Sequence, residues 1–344
     1  MTTALAGLPD AVLALLPGGL DAAVPPEVLA TCGDCAMKPR PGVPETSWAP
    51  VFPAASRCCT YHPELPNVLV GRALNRSGPG ADAIRARLAD PDGVSAWGIR
   101  PPKGFHRRYH DPTTGGFGHD DALRCPYWSA TAPEGRGCTI HLDREAVCRT
   151  WHCRLGSGRR SYAAWMAVKA LLDGILHTIA TRCALLGEAP ADGAPPAAWE
   201  AWFRGCADRV DRWTAADVDG LRGGQLDQLA AAVTAAVADR DRPMPEVVMP
   251  SVTAWNVHPH GVSLVSWSRC DPVEAPPWVF RLLARLDGQT PWRRAKAETE
   301  AELGQPIGDD WVVTLYRRGL LGPPEYVDVE PGLSVFPHVV LRGT

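Results

Sequence analysis

The stretch GCTIHLDREAVCRTWHCR, residues 137–154, decides how the first half of the chain is interpreted. It contains the thiols of Cys138, Cys148 and Cys153, together with two histidines and three arginines. Thiols in such a segment can be buried small hydrophobes, disulfide partners, a redox centre or metal ligands. The distribution of cysteine over the whole chain narrows this choice.

The chain has 344 residues and 11 cysteines, and the cysteines are unevenly distributed. Three of them, Cys183, Cys206 and Cys270, are scattered through the second half, and we expect isolated thiols of this kind to be core residues. The other eight fall within the first 153 residues and form the candidate set: Cys32, Cys35, Cys58, Cys59, Cys125, Cys138, Cys148 and Cys153.

The cellular compartment affects whether these eight cysteines form disulfides or stay as thiols. The apolar run at residues 11–20 is too short to span a bilayer and has no positively charged leader, so we expect a cytoplasmic protein, with a composition typical of a bacterial one. In a reducing cytoplasm, clustered cysteines more often bind metal or perform redox chemistry than form disulfides. The net charge of -3 provides no basic field, so neither a membrane nor a nucleic-acid partner is expected.

The spacing of the eight cysteines indicates metal ligation. Cys32 and Cys35 form a CxxC pair that lets both sulfurs face one ion, although redox dithiol exchange is an alternative for this pair. Cys58 and Cys59 are adjacent, so their side chains diverge. They either bind two different sites, or one of them is a ligand and the other lies beside the ligands of the same site. Eight thiolates suffice for two tetrahedral zinc sites or for one or two iron–sulfur clusters. Nearby histidines that can substitute as ligands are His62, His141 and His152.

The motif CPYW at 125–128, followed by the stretch 137–154, resembles the signature of the YkgJ-type cysteine-cluster family, described as a zinc- or iron-chelating domain. The resemblance covers about residues 30–160 and implies that all eight cysteines are ligands. The gap between the CxxC and CC elements is longer than in that family, which leaves open whether one centre uses every sulfur. The similar flagellin lysine methylases carry an iron–sulfur cluster, which favours iron–sulfur over zinc. The flanking Arg144, Arg149 and Arg154 either offset thiolate charge or form solvated surface.

We predict an α+β fold, mostly α, in three parts. Residues 1–160 form a loop-rich, metal-stapled domain that contains a helix around ADAIRARLAD, residues 81–90. Residues 161–243 form a helical section that Ser161 can cap, and its second helix presents Trp199, Trp202 and Phe203 on one face. Residues 244–344 form a small winged-helix-like domain.

This last domain begins with two predicted strands joined by the turn HPHG, residues 258–261. Three helices follow, the second with Thr290 as N-cap, and residues 334–341 add an edge strand. The stretch at 276–324 is similar to PqqD-like winged-helix modules. That resemblance implies binding of a peptide through a strand edge and a helix.

One further motif, KGFHRRYHDPTTGGFGHDD at residues 103–121, concentrates basic residues before a glycine-rich turn. It is either a loop that binds an anion or substrate beside the metal centre, or simply an exposed loop, which is the blander and preferred interpretation. It matches neither the P-loop nor the dinucleotide-binding fingerprint.

The sequence therefore predicts a cysteine-cluster metal protein that carries iron–sulfur and modifies a peptide or protein substrate recruited by its C-terminal module. The alternative is a non-enzymatic, zinc-stabilised binding or adaptor protein. The sequence identifies no reaction and no catalytic residue.

Overall fold

A computed structural model describes residues 5–18, 20, 52, 58–90, 92–111, 113, 116–129 and 137–326. About half of the described residues are helical and about a tenth lie in strands, in small sheets, which confirms the α+β, mostly α fold class. Cys32, Cys35 and the edge strand predicted at 334–341 lie outside the described residues.

The chain divides into two compact units. The described part of the first comprises residues 5–20, 52–151 and 165–235, with the gaps given above. The second comprises residues 152–164 and 236–326. Most of the predicted helical section, residues 165–235, therefore shares a unit with most of the cysteine region.

Helices dominate the first unit, whose three strands have two residues each. A small antiparallel sheet in the order β1-β3-β2 lies among them. The elements that begin in this unit's part of the chain are α1 (Asp10–Leu15), β1 (Leu65–Pro66), α2 (Asn67–Arg76), α3 (Pro79–Leu88), β2 (Val94–Ser95), β3 (Gly98–Ile99), α4 (Phe105–Tyr109), α5 (Ala146–Thr150), α7 (Pro196–Val210), α8 (Ala215–Asp219) and α9 (Gln225–Arg240). The intervening α6 (Gly158–Leu186) starts in the second unit and continues into the first.

The close contact of α2 with α7 forms the centre of the first unit's core. A methyl group on Gly71 of α2 would come within 1.9 Å of the Phe203 carbonyl oxygen, so the two helices approach backbone to backbone. Asn67, one turn earlier on α2, is fully buried and its amide donates to the Ala96 and Ala180 carbonyls, both at 2.9 Å. Buried amides need such partners. The predicted apolar face of α7 is confirmed, because its Trp and Phe side chains are buried.

We expect Gly71→Ala to destabilise the protein by about 3 kcal/mol, because its new methyl group meets backbone that no side-chain rotation can move away. Gly205→Ala is the matched control. Gly205 lies on α7 with nothing within 4 Å of an added methyl group, and alanine there should stabilise by about 1 kcal/mol through helix propensity. Urea unfolding measures both, and equal free energies of unfolding for the two variants would contradict the close approach.

α6 is the one described helix that is long and apolar enough to cross a membrane. Half of its most apolar window is buried inside the protein, as in the core helix of a folded domain. Its Leu171, Leu172 and Ile175 have no measurable exposure. The predicted cap is wrong: α6 begins three residues before Ser161, whose hydroxyl accepts a hydrogen bond from the Ser157 N–H at 3.1 Å.

The second unit combines short antiparallel strands with three helices packed over them. Its elements after α9 are β4 (Met249–Pro250), β5 (Ala254–His258), β6 (Gly261–Val265), β7 (Val273–Ala275), α10 (Val279–Arg285), α11 (Trp292–Leu303), α12 (Asp309–Arg317) and β8 (Leu321–Gly322). One sheet has the order β5-β6-β7 and another pairs β4 with β8.

The predicted hairpin and three helices of this unit are confirmed. Trp255 pairs with Leu264 and Val257 pairs with Val262 in the β5–β6 register. The predicted N-cap at Thr290 is wrong, because α11 begins after Pro291 and the Thr290 N–H donates instead to the Asp287 carboxylate at 2.7 Å. The short β7 and β8 were not predicted, whereas β4 lies within the segment predicted as the first strand, which the structure divides into β4 and β5.

Candidate metal centre

The structure separates the predicted ligands between the two units. Five of them, Cys58, Cys59, Cys125, Cys138 and Cys148, belong to the first unit. Cys153 belongs to the second unit, just after the boundary. The isolated Cys183 and Cys206 are fully buried in the core, as expected, whereas Cys270 is half-buried.

Backbone hydrogen bonds join the CC element to the CPYW element. Cys58 and Cys59 lie in a turn, and the Cys125 N–H donates to the Cys59 carbonyl at 2.8 Å. Thr60, which has no measurable exposure, accepts a hydrogen bond from the Gly118 N–H through its hydroxyl at 2.6 Å. Two loops that are about 60 residues apart in sequence are thereby held together.

A short pairing of extended segments brings Cys138 beside Cys125. Cys125 opens a turn in which the Trp128 N–H donates to the Cys125 carbonyl at 3.1 Å. Trp128 and Cys138 form an isolated antiparallel bridge, and the Thr139 N–H donates to the Tyr127 carbonyl at 2.9 Å. The sequence spacing alone did not reveal this pairing.

Cys148 lies on the short helix α5, whose start is fixed by Glu145. The Glu145 carboxylate accepts hydrogen bonds from the backbone N–H groups of Val147 and Cys148, the latter at 2.9 Å. Burial raises the pKa of Glu145 to about 7. Burial, and then the Glu145 charge, raise the pKa of the Cys148 thiol well above its usual range. Sequence reasoning missed Glu145, although an acidic residue just before a helix is a known capping signal.

Four thiols lie close enough to influence one another electrostatically: Cys58, Cys125, Cys138 and Cys148. Burial raises the pKa of Cys125 to about 12, and the proximity of Cys138 and Cys58 contributes to the rise. Cys125 and Cys138 likewise contribute to the raised pKa of Cys148. These four residues, from four different parts of the fold, are called the four-cysteine group below.

Arginine holds the loops around this group. Arg149 is only 3% exposed, and its guanidinium donates to the Ala6 carbonyl at 2.9 Å and to the carbonyls of Leu142 and Arg144. Burial lowers its pKa to about 10, so it remains charged at neutral pH. Arg144 donates to the Cys148 carbonyl at 2.8 Å. Arg149 is therefore neither solvated surface nor simply a counter-charge for thiolates, because its hydrogen bonds go to backbone carbonyls.

We expect Arg149→Met to lower the free energy of unfolding by about 3 kcal/mol, because it leaves three carbonyl oxygens without their donor. Arg212→Met, which removes the same charge from an exposed position of the first unit, should change it by less than about 0.5 kcal/mol. Urea unfolding of both variants is the measurement. Equal losses would show that Arg149 does not anchor these loops.

The three histidines named as substitute ligands have different surroundings. The His62 ring hydrogen-bonds to the Arg124 carbonyl at 3.0 Å and lies 4.7 Å, centroid to centroid, from Phe105. Burial lowers the pKa of His62, which favours the neutral imidazole. His141 lies in a single 3-10 turn, His141–Asp143, before Glu145. His152 belongs to the second unit.

The side chains of the four-cysteine group are of the type that binds thiophilic metals. Cysteine sulfur is the preferred ligand of zinc and of iron–sulfur clusters, and the four-cysteine group provides four such donors in a half-buried setting. Within the described ranges, no three His, Cys, Asp or Glu side chains are arranged closely enough to hold an ion between them. The four thiols therefore lie in the same region, but they are not arranged as the ligands of a single metal ion.

An aromatic cluster borders the four-cysteine group. Phe105, Tyr109 and Leu123 are buried together, with Tyr61 and Phe117 packed against them. Burial raises the pKa of Tyr109, and its proximity to Cys148 and Cys58 adds to this effect. The apolar side of the group is thus formed by residues whose role the sequence motifs did not indicate.

No protein-family model, curated protein or solved structure matches this chain. The resemblances to the YkgJ-type and PqqD-like families therefore stay predictions. The function proposed below depends on the geometry of the described residues.

Proposed function

We propose that this protein binds a metal centre through cysteine thiolates, and that the centre is an iron–sulfur cluster. The observation that carries the proposal is the convergence of four partly buried thiols from separate segments, which the Cys59–Cys125 hydrogen bond and the Trp128–Cys138 bridge bring together. A thiolate-ligated metal requires several thiols from separate segments to be held together in this way.

In this proposal the four-cysteine group provides the ligands within the first unit. Cys59 contributes its carbonyl to the Cys125 N–H and so positions the loop. Glu145 fixes the backbone at Cys148, and Arg144 holds its carbonyl. Cys32, Cys35 and Cys153 stay in the proposed ligand set on the strength of their sequence pattern. When bound, an iron–sulfur cluster supplies electron transfer or an iron Lewis acid, whereas zinc supplies a structural crosslink.

Anaerobically purified protein should contain iron and acid-labile sulfide and show a broad absorption band near ~400 nm from sulfur-to-iron charge transfer. Cys125→Ser and Cys148→Ser should each lose most of the metal, because each removes a thiolate ligand. Cys206→Ala is the matched control, since Cys206 is also fully buried in the first unit. It should keep its metal.

Three outcomes separate the alternatives. Colourless protein that contains zinc would contradict the iron–sulfur assignment and support the zinc-stabilised adaptor. Unchanged metal content in both serine variants would contradict the ligand assignment. An equal loss in Cys206→Ala would indicate that the losses reflect unfolding, which circular dichroism of each variant checks directly.

We further propose that the second unit recruits a peptide or protein substrate along β5. This strand pairs only with β6 among the described residues, so its outer edge provides backbone groups for another strand. Trp255 is 59% exposed and Val257 65% exposed on this strand, and Phe280 contacts the Trp255 ring at 6.2 Å between centroids. An exposed edge flanked by apolar side chains favours strand addition.

Selection of a displayed random peptide library on the full chain tests this proposal. Binders should be lost in Trp255→Ala and kept in Trp97→Ala, the matched control, because Trp97 is 49% exposed but belongs to the first unit. A library that yields no binder with this dependence would contradict recruitment by β5.

A further inference from the structure

The basic motif at 103–121 forms part of a cleft in the first unit. The cleft has a volume of about 390 Å³ and lies where α4 begins. This volume falls at the lower end of the range for small-molecule sites. The residues on which the argument depends are His62, Pro102, Lys103, Phe105, Arg107 and Arg108.

Two of the cations in the cleft have no partner among the residues that the structure describes. Neither Lys103 nor Arg107 makes an ion pair or side-chain hydrogen bond with the part of the chain that the structure describes. The third cation is different, because Arg108 forms a two-point ion pair with the Asp120 carboxylate. Lys103 and Arg107 are therefore available to an external anion.

The charge balance of the cleft favours a single negative charge. Asp111 also lines it, and hydrogen bonds from Thr113 lower the pKa of Asp111 and keep it ionised. Its carboxylate and that of Asp120 offset two of the three cations. One positive charge remains, which matches a monoanion better than a dianion.

Backbone geometry places Arg107 over the cleft. Gly104 has a left-handed φ of +84°, which side chains other than glycine rarely adopt. The Arg107 Nη2 atom lies 3.6 Å from where a Gly104 side chain would begin. This is an ordinary van der Waals distance, and it shows that the Arg107 guanidinium lies over Gly104 at the start of α4.

The same cleft is also lined by two ring side chains, the planar imidazole of His62 and the apolar pyrrolidine of Pro102. The half-buried His62 ring lies against Phe105 at 4.7 Å between centroids, tilted by 33°. Pro102, also half-buried, lines the cleft as well. An imidazole and an apolar ring in the same cleft as Lys103 and Arg107 suit a ligand that has both a planar frame and a charge.

We propose that this cleft binds a small carboxylate carried on a planar or aromatic frame. Lys103 and Arg107 hold the carboxylate, and the rings of His62 and Pro102 flank the frame. The site does not depend on the metal proposal, because none of these contacts involves a cysteine.

Isothermal titration calorimetry of the full chain with benzoate as the probe tests this proposal. We expect saturable one-to-one binding that is tighter than that of acetate, phenol or phenyl phosphate. Lys103→Gln with Arg107→Gln should weaken benzoate binding about tenfold, because both charge-assisted contacts are lost. The matched control is Arg100→Gln with Arg212→Gln, which removes two exposed charges of the same unit outside the cleft and should leave the affinity unchanged.

Absence of saturable benzoate binding would overturn the proposal, as would equal affinities of the two double variants. Acetate binding as tightly as benzoate would overturn the role of the rings, and tighter phenyl phosphate would overturn the single-charge assignment. Metal content should be the same in both double variants and the parent protein. A failure here is therefore distinguishable from a failure of the metal proposal.

Discussion

The buried guanidinium of Arg149 is the interaction on which the cysteine region depends. Around it the chain has short helices, single turns and two-residue strands, which bury little apolar surface of their own. The guanidinium links the carbonyls of Ala6, Leu142 and Arg144, so it joins the N-terminal segment to the loop that leads to Cys148. Arginine suits this role because its planar fork can serve several acceptors at once.

The electrostatic surroundings of the four-cysteine group favour metal binding, as the sequence spacing of its cysteines does. Burial penalises the thiolate form, and neighbouring thiolates penalise it further. A thiophilic cation removes the penalty, because it replaces the proton on each sulfur and offsets the charge. The loops therefore have a composition that a metal stabilises.

The sequence predicted those parts of the fold in which local pattern and tertiary packing agree. Helix α7 is an example: a proline begins it, and its aromatic residues recur on one face, which the core then buries. Helix caps were less predictable. Ser161 and Thr290 are residue types that often cap helices, but the Ser161 hydroxyl accepts a hydrogen bond from Ser157, and the Thr290 N–H donates to Asp287. β8 is too short to leave a periodic signal, and its pairing with β4 depends on residues about 70 positions apart in sequence.

The candidate sites, like the fold, were only partly predictable from the sequence. Cysteine spacing identified the thiols but could not show that Trp128 pairs with Cys138, or that Glu145 caps the helix of Cys148. The arginines near the cysteines invited an electrostatic interpretation, and burial of Arg149 against carbonyl groups is visible only in three dimensions. Likewise, the basic motif predicted charge but not the cleft. Shape and burial arise from contacts between distant segments, which a single sequence does not encode in its spacing.

The close approach of α2 to α7 also restricts how this protein can diverge. The atom nearest to Gly71 is a backbone carbonyl oxygen, so no change of side chain on α7 can compensate for a larger residue there. Asn67 lies one turn away, and its amide serves two carbonyls from different segments. A substitution at either position therefore disturbs contacts with parts of the chain that are distant in sequence, so we expect Asn67 and Gly71 to tolerate less change than the exposed residues of α2.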